Sequence, residues 1–170
     1  MNQDGCRRKL EAIIDKLKGL TCWSYVAGSG TGSVVALDFG RKIRRARPLR
    51  NPSLTEDQRT FEGEISILVE CAWRVDSRTQ VLGGSANDNR QGMAMLKSLG
   101  KLIGCRVADA KALAPGYDLL IDFEEGLRFE AFAVETNLED DVDNYSIHTE
   151  KSILTVGAGS LLREEPRKGR

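Results

Sequence analysis

Residues 64–75, with the sequence EISILVECAWRV, carry the clearest structural signal in this chain of 170 residues. Apolar side chains recur there at every second position: Ile65, Ile67, Val69, Cys71 and Trp73. Between Glu64 and Glu70 only Leu68 breaks the alternation with polar residues. A period of two is typical of a β-strand with one buried face. We therefore predict a half-buried strand that ends near Val75, with Trp73 on the buried face and Arg74 on the opposite face.

Segments on both sides of this strand also have strand composition or alternation. They are residues 34–39, 119–124, 127–133, 145–150 and 153–156. The dipeptide Glu125-Gly126 separates two of them and is typical of a hairpin turn. Residues 41–50 either extend the first of these strands or form a loop. Residues 51–60 lack periodic apolar side chains, so we predict a loop there.

Two segments have the periodicity or the end signals of helices. The first runs from Asp4 to Lys18 and stops at Gly19. Its apolar side chains form one stripe at helical spacing: Leu10, Ile13, Ile14 and Leu17. The second runs over residues 89–99 and follows the capping residue Asp88.

These segments together predict an α+β fold that is mostly antiparallel β with two helices. A chain of this length is expected to form a single domain over residues 1–170, and we predict a frayed, charged tail at residues 164–170. The predicted core joins the stripe of the first helix to apolar strand residues. Those strand residues are Leu37, Phe39, Ile67, Val69, Cys71, Ile121, Phe123 and Phe129.

The two halves of the chain resemble each other in sequence. Leu37-Asp38-Phe39 matches Ile121-Asp122-Phe123, and Ser66-Ile67-Leu68 recurs at 152–154, while Phe61 corresponds to Tyr145. One interpretation is an internal duplication, with repeats at 1–85 and 86–163 arranged around a pseudo-two-fold axis. The alternative is chance, because short apolar strands look alike.

The charge balance limits the classes of partner. The chain has 25 basic and 25 acidic residues, and its formal net charge is zero. A dedicated nucleic-acid binder is usually strongly basic, so nucleic acid is not an expected partner. No apolar stretch is long enough to span a membrane, and the first residues lack the apolar region of a secretory signal. We predict a cytoplasmic protein without membrane association.

The charges are nevertheless unevenly distributed along the chain. The basic excess lies in one segment, at Arg41, Lys42, Arg44, Arg45, Arg47 and Arg50. The acidic excess lies in another, at Glu135, Glu139, Asp140, Asp141 and Asp143. Both segments are candidate binding surfaces that steer a charged partner, and the alternative is that both are solvated edges. Trp73 and Arg74 are further candidates, because Trp and Arg are enriched in binding hot spots, although a core Trp beside a surface Arg explains them too.

Catalytic and metal-binding patterns are weak in this sequence. The cysteines, at Cys6, Cys22, Cys71 and Cys105, form no Cys-x-x-Cys pair, so we predict free core thiols and neither a metal site nor a cofactor. The glycine-rich residues 28–33 lack the spacing and context of a phosphate loop. His148 is the only candidate imidazole base and has no identifiable orienting partner. We predict no catalytic residue.

One combination of motifs resembles a group of known proteins. Gly30-Thr31-Gly32-Ser33, followed by Leu37-Asp38-Phe39-Gly40 and then by residues 68–74 (LVECAWR), is similar to small bacterial proteins of unknown function. The similarity extends to residues 119–132. Such proteins are often suspected to be immunity or accessory proteins of toxin systems. The resemblance implies no catalytic residues, and it implies no specific biochemical activity.

We therefore predict a non-enzymatic, cytoplasmic binding protein, of the immunity type, that masks a protein partner recognised through charge. The alternative is a small-ligand-binding protein, or an unrecognised enzyme, with a pocket between the two halves. A homodimer is a further candidate assembly.

Overall fold

The computed structural model describes residues 3–139 and 142–167 and contains two antiparallel sheets and three α-helices within those residues. The α-helices are α1 (Gln3–Asp15), α2 (Glu56–Thr60) and α3 (Ala94–Gly100). The strands are β1 (Cys22–Val26), β2 (Val35–Arg44), β3 (Phe61–Val69), β4 (Ala72–Asp76), β5 (Val81–Gly84), β6 (Val107–Leu113), β7 (Asp118–Phe123), β8 (Arg128–Phe132), β9 (Asp143–His148), β10 (Ser152–Gly157) and β11 (Leu162–Pro166). A short 3₁₀-helix, Ala158–Ser160, joins β10 to β11. The predicted fold class, α+β with mostly antiparallel strands, is confirmed.

The strands divide into a six-stranded and a five-stranded sheet. The six-stranded sheet has the order β1-β2-β3-β9-β10-β11, and the five-stranded sheet has the order β5-β4-β8-β7-β6. The sheets meet where the backbone N–H groups of Glu70 and Cys71 both donate to the carbonyl of Asn144, each at 3.0 Å. They meet again where the N–H of Val107 donates to the carbonyl of Leu20 at 2.9 Å.

The first of these junctions corrects the strand predicted over residues 64–75. The chain forms two strands there, β3 and β4, which belong to different sheets. Cys71 and Trp73 still face the same core as Ile67, because the alternation continues through the bend. Periodicity alone therefore could not locate the break.

The predicted core is confirmed. All twelve predicted residues belong to one buried cluster, with the stripe of α1 packed against the strand residues. Trp73 is buried as predicted: its ring stacks on Phe129 with centroids 5.6 Å apart, and its indole N–H donates to the carbonyl of Ser33 at 2.6 Å. Helix α1 packs against β6 and β11, so it contacts both sheets.

Several element predictions were wrong or incomplete. The predicted loop over 51–60 contains α2, which starts with a capping box between Thr55 and Gln58. The second predicted helix begins only at Ala94, because Gly92 has a φ of +82°, outside the helical region. The predicted tail is ordered further than expected, since Leu162–Pro166 pairs with β10 as β11. Residues 168–170 lie outside the described part of the chain.

The strand orders bear on the predicted duplication. The run β1-β2-β3 continues into β9 and β10, and the run β6-β7-β8 continues into β4 and β5. Leu37–Phe39 and Ile121–Phe123 lie in β2 and β7, which hold equivalent places in the two runs. Ser66–Leu68 and Ser152–Leu154 lie in β3 and β10, which do not. The duplication itself stays a prediction.

Candidate functional site

The arginine-rich segment lies on the end of β2 and the loop that follows it. A bulge at Gly40, with a φ of +74°, lets the carboxylate of Glu64 lie over the backbone, where a Cβ at position 40 would come within 2.6 Å. This carboxylate accepts hydrogen bonds from the N–H of Arg41 at 3.0 Å and from its Nε at 2.8 Å. The charge of Arg41 is thus compensated within the chain.

Two further cations of this segment are also paired. Lys42 Nζ lies 2.5 Å from Asp57 Oδ2, and Arg45 Nη1 lies 3.0 Å from Oε2 of the buried Glu62. The remaining three, Arg44, Arg47 and Arg50, are exposed and have no ion pair with any described residue. About half of the predicted basic surface is therefore committed to internal contacts.

The Trp73-Arg74 pair does not form an exposed anchor. Trp73 is in the core, so its side chain cannot reach a partner of the folded protein. Arg74 lies 2.8 Å from Asp76 Oδ2 and 2.5 Å from Glu130 Oε2, and its guanidinium sits 5.1 Å from the ring centroid of Phe132. Of the two sequence interpretations, the core Trp beside a surface Arg is the one that the structure supports.

The acidic segment has a different setting. Its base is fixed through the buried Asn144, whose side chain accepts from the N–H of Glu135 at 2.9 Å and donates to the carbonyl of Gly157 at 3.0 Å. The Glu135 carboxylate accepts from the next two backbone N–H groups, so it shapes the loop rather than facing a partner. Glu139 is exposed, and Asp143 is ion-paired with Arg163. Asp140 and Asp141 lie outside the described residues.

Exposed apolar side chains accompany these acids. Leu138, Val142 and Leu161 are 67%, 45% and 43% exposed. They line a depression of about 300 Å³ together with Glu139, Asp143, Ala158 and Arg163, and Arg163 is the ion-pair partner of Asp143. We call Leu138, Val142, Leu161, Glu139 and Asp143 the acidic–apolar patch. Our sequence interpretation considered only the charges of this segment, although Leu138 and Val142 stand among five acids within nine residues, ETNLEDDVD.

The only histidine of the sequence belongs to a polar row across the outer face of the six-stranded sheet. Asp38, Ser66 and His148 are neighbours in strand register, and the buried Asp38 accepts from Ser66 Oγ at 2.5 Å and from the N–H of Gly63 at 2.9 Å. His148 Nε2 lies 2.8 Å from Ser146 Oγ. Burial, and then the nearby positive charge of Arg167, lower the pKa of His148, so its imidazole is neutral at pH 7.

A serine in contact with a neutral histidine is one part of a hydrolytic site. Such a site also needs a group that orients the imidazole. Among the described residues, no carboxylate is hydrogen-bonded to the second ring nitrogen of His148. The buried carboxylate of Glu62, whose charge acts on His148, is committed elsewhere, because it lies 3.0 Å from Arg45 and 2.7 Å from Arg167. The row therefore does not carry an enzymatic assignment.

A groove of about 600 Å³ lies between α1, the β2–β3 pair and the turn after β9. Its apolar lining comes from Ala12, Ile13 and Ile65, and the side chains of Lys16 and Lys151 are among its polar lining. The lining residues come from both halves of the sequence. The predicted pocket between the two halves stays a prediction.

The cysteines are all buried and free. Burial raises the pKa of Cys22 and of Cys71 to about 12, so both are protonated thiols at neutral pH. Within the described ranges, no group of three or more His, Cys, Asp or Glu side chains could hold a metal ion.

Comparison with protein-family models, with curated proteins and with solved structures found no match for this chain. No helix within residues 3–139 and 142–167 has both the length and the apolar character needed to cross a membrane.

Proposed function

We propose that the protein is a non-enzymatic binding protein that docks a basic protein partner on the acidic–apolar patch. The observation that carries this proposal is the exposure of Leu138, Val142 and Leu161 beside the carboxylates of the same loop. Contiguous exposed apolar side chains with a polar rim are typical of interaction sites. The patch fits a partner that presents an apolar anchor surrounded by lysine or arginine side chains.

Apolar burial and charge have separate roles in this proposal. Burying Leu138 supplies affinity, at roughly 25 cal/mol for each Å² of apolar surface removed from water. Residues 135–143 contain five acidic residues and no basic residue. Their negative charge raises the association rate of a positively charged partner. The anchoring through Asn144 lowers the entropy lost on binding, because the base of the loop is already ordered.

An immunity-type role is the specific form of this proposal. Masking a basic toxin requires a stable protein–protein contact and no catalysis. The exposed apolar side chains of the patch support such a contact, and the sequence resemblance through residues 30–40 and 68–74 favours the same role.

The test uses the full chain and a partner purified from the host, with affinity and association rates measured at two salt concentrations. We expect Leu138→Ser to weaken binding roughly tenfold, mainly through faster dissociation. Glu139→Lys is expected to slow association at low salt and to have less effect at high salt. Val81→Ser is a matched control, because Val81 is 61% exposed and lies on β5 of the other sheet.

The proposal fails if a purified partner binds with the same affinity to wild type and to Leu138→Ser. It also fails if Val81→Ser weakens binding as much as Leu138→Ser, because the contact would then lie elsewhere or reflect altered stability.

The groove beside α1 supports a second candidate function, the binding of a small ligand. Its volume of about 600 Å³ lies within the range of roughly 300–1,000 Å³ usual for ligand pockets. A ligand with an apolar body and an anionic group would match the apolar Ile13 and Ile65 and the basic Lys16 and Lys151 of its lining, which also contains Glu64 and Glu150. A rise in melting temperature with an amphipathic carboxylate, abolished by Lys16→Met but not by Leu138→Ser, would favour this function.

A further inference from the structure

Two buried polar atoms on neighbouring residues of β1 have no hydrogen-bond partner among the described residues. They are Nε1 of Trp23 and Oγ of Ser24. Ser24 is only 4% exposed. Buried donors without partners are rare in folded proteins, and each one calls for a specific explanation, such as a bound group that supplies the missing acceptor.

Both residues line the same cavity, which has a volume of about 250 Å³. We call it the Trp23 pocket. Its other lining residues are Tyr25, Lys42, Thr55, Asp57, Gln58 and Ile103. The pocket lies on the outer side of β1, next to the row of Asp38 and Ser66, because Ser24 pairs in register with Asp38.

Most of the other polar groups of the pocket are already engaged. The Gln58 side chain donates to the carbonyl of Tyr25 at 2.7 Å and accepts from the N–H of Thr55 at 2.9 Å. The Thr55 hydroxyl accepts from the N–H of Gln58 at 3.2 Å. These contacts hold α2 against β1 and fix one wall of the pocket.

Apart from the Asp57 carboxylate, the groups that remain are hydrogen-bond donors. They are the indole N–H of Trp23, the hydroxyl of Ser24 and the ammonium of Lys42, which lies 5.0 Å from the centroid of the Trp23 ring. Lys42 gives one contact to Asp57, at 2.5 Å, and an ammonium carries three protons. Three donors, one of them charged, match an anionic oxygen group.

The remaining surface and the volume limit the ligand further. The side chain of Ile103 and the rings of Trp23 and Tyr25 are apolar, so they favour a ligand with a hydrocarbon body over a bare inorganic anion. A pocket below roughly 300 Å³ is smaller than those that hold drug-sized ligands. The ligand therefore has only a few carbon atoms.

We propose that the Trp23 pocket binds a small monocarboxylic acid. The carboxylate accepts from the Trp23 indole and the Ser24 hydroxyl and lies near the Lys42 ammonium, and its short hydrocarbon body packs against Ile103. Asp57 competes with the ligand for Lys42, so the native site binds more weakly than one without that carboxylate. The pocket is separate from the acidic–apolar patch, and neither proposal depends on the other.

The test is a titration of the full chain, followed by NMR on the indole N–H resonance of Trp23. Propionate and butyrate are the probes, propionamide and butyramide are their uncharged matches, and inorganic phosphate is the bare anion. The resonance is assigned by its loss in Trp23→Phe, since Trp73 supplies the only other indole of the sequence. We expect the acids to shift this resonance saturably and to bind roughly tenfold more tightly than the amides.

Substitutions in the pocket test the roles of Lys42 and Asp57 in binding. Lys42→Met is expected to weaken butyrate binding roughly tenfold, and Asp57→Asn is expected to strengthen it. Lys16→Met is the matched control, because Lys16 is an exposed lysine of the other groove, and it is expected to leave the titration unchanged. If Trp23→Phe does not fold, the comparison of butyrate titrations between wild type and Lys42→Met tests the proposal without it.

Four outcomes would overturn the proposal. The first is equal affinity for the acids and the amides, and the second is a shift with phosphate as large as the shift with butyrate. The third is a loss of binding in Lys16→Met as large as that in Lys42→Met. The fourth is no shift of the resonance with any probe at millimolar concentration.

Discussion

The arginine-rich segment and the acidic segment look equivalent as sequences, but the fold uses them differently. The arginines begin on a strand, so the neighbouring strand β3 supplies counter-charges, such as Glu64 for Arg41 and Glu62 for Arg45. The acidic loop has few strand neighbours, and among the described residues only Arg163 forms an ion pair with it. A cluster of like charges is therefore available for binding only where no adjacent strand neutralises it.

The largest expected difference between the two regions is in stability. Phe39 is fully buried on the strand that carries the first arginines, so Phe39→Ala should lower the free energy of unfolding by about 3–5 kcal/mol. Leu138→Ala, in the acidic–apolar patch, should change it by less than about 0.5 kcal/mol. Urea denaturation of both variants provides the comparison. A loss below about 1 kcal/mol for Phe39→Ala would contradict our assignment of the buried face.

A smaller difference in stability is expected between the loss of a buried carboxylate, Glu62, and the loss of a more exposed one, Glu64, on the same strand β3. Glu62→Gln leaves Arg45 and Arg167 without their buried carboxylate and should lower the free energy of unfolding by about 3 kcal/mol. Glu64→Gln removes the partner of the exposed Arg41 and should cost less than about 1 kcal/mol. Chemical denaturation at neutral pH measures both. Equal losses of stability in the two variants would contradict the prediction that the buried ion pairs contribute more than the exposed one.

Charge reversal compares the two surfaces directly as binding sites. Glu139→Lys should slow the association of a basic partner several-fold at low salt, because it acts at the contact. Reversing Arg44 and Arg47 to Glu should change the rate less and leave the fold intact, because both are exposed outside the patch. Stopped-flow association at two salt concentrations distinguishes them. Slower binding only in the arginine variant would move the docking site to the arginine-rich segment and favour an acidic partner.

The smallest expected effect is a pH dependence at His148. Its pKa is lowered in the folded protein, so the unfolded state binds a proton first as the pH falls below about 6.5. Stability contributed by the neutral imidazole is therefore present above about pH 6.5 and is lost as the pH falls towards the lower, folded pKa. His148→Gln should flatten this part of the stability curve relative to wild type. Identical curves for both proteins below pH 6.5 would refute the assignment.

Sequence periodicity predicted the core well and the connections poorly. The alternation through Ile65, Ile67 and Val69 identified the buried face, because side-chain period depends only on local geometry. It could not show that the chain changes sheets at Glu70, because that bend depends on the carbonyl of the distant Asn144. Strand β6 was missed because VADAKAL contains alanine and lysine, which are not typical strand residues.

The sites were harder to predict than the core. The pairing of Arg45 with Glu62 depends on strand register, which the sequence does not state. The Trp23 pocket depends on α2 folding back over β1 through Gln58, within a segment that we expected to be a loop. Leu138 and Val142 could have been recognised, since apolar residues within an acidic loop are unusual in a purely solvated segment.

The chain leaves the six-stranded sheet after β3 and returns to it at β9, so the β3–β9 pair forms late during synthesis on the ribosome. Strand β3 ends at Val69, but its partner β9 begins at Asp143, so 74 further residues must be made before the pair can form. At roughly 5–20 residues per second, the growing chain carries an open edge on β3 for about 4–15 s. An open edge of this kind is a template for pairing with another chain. Until β9 has been made, the free edge of β3 can therefore pair with another nascent chain, which is a route to aggregation that the finished fold no longer offers.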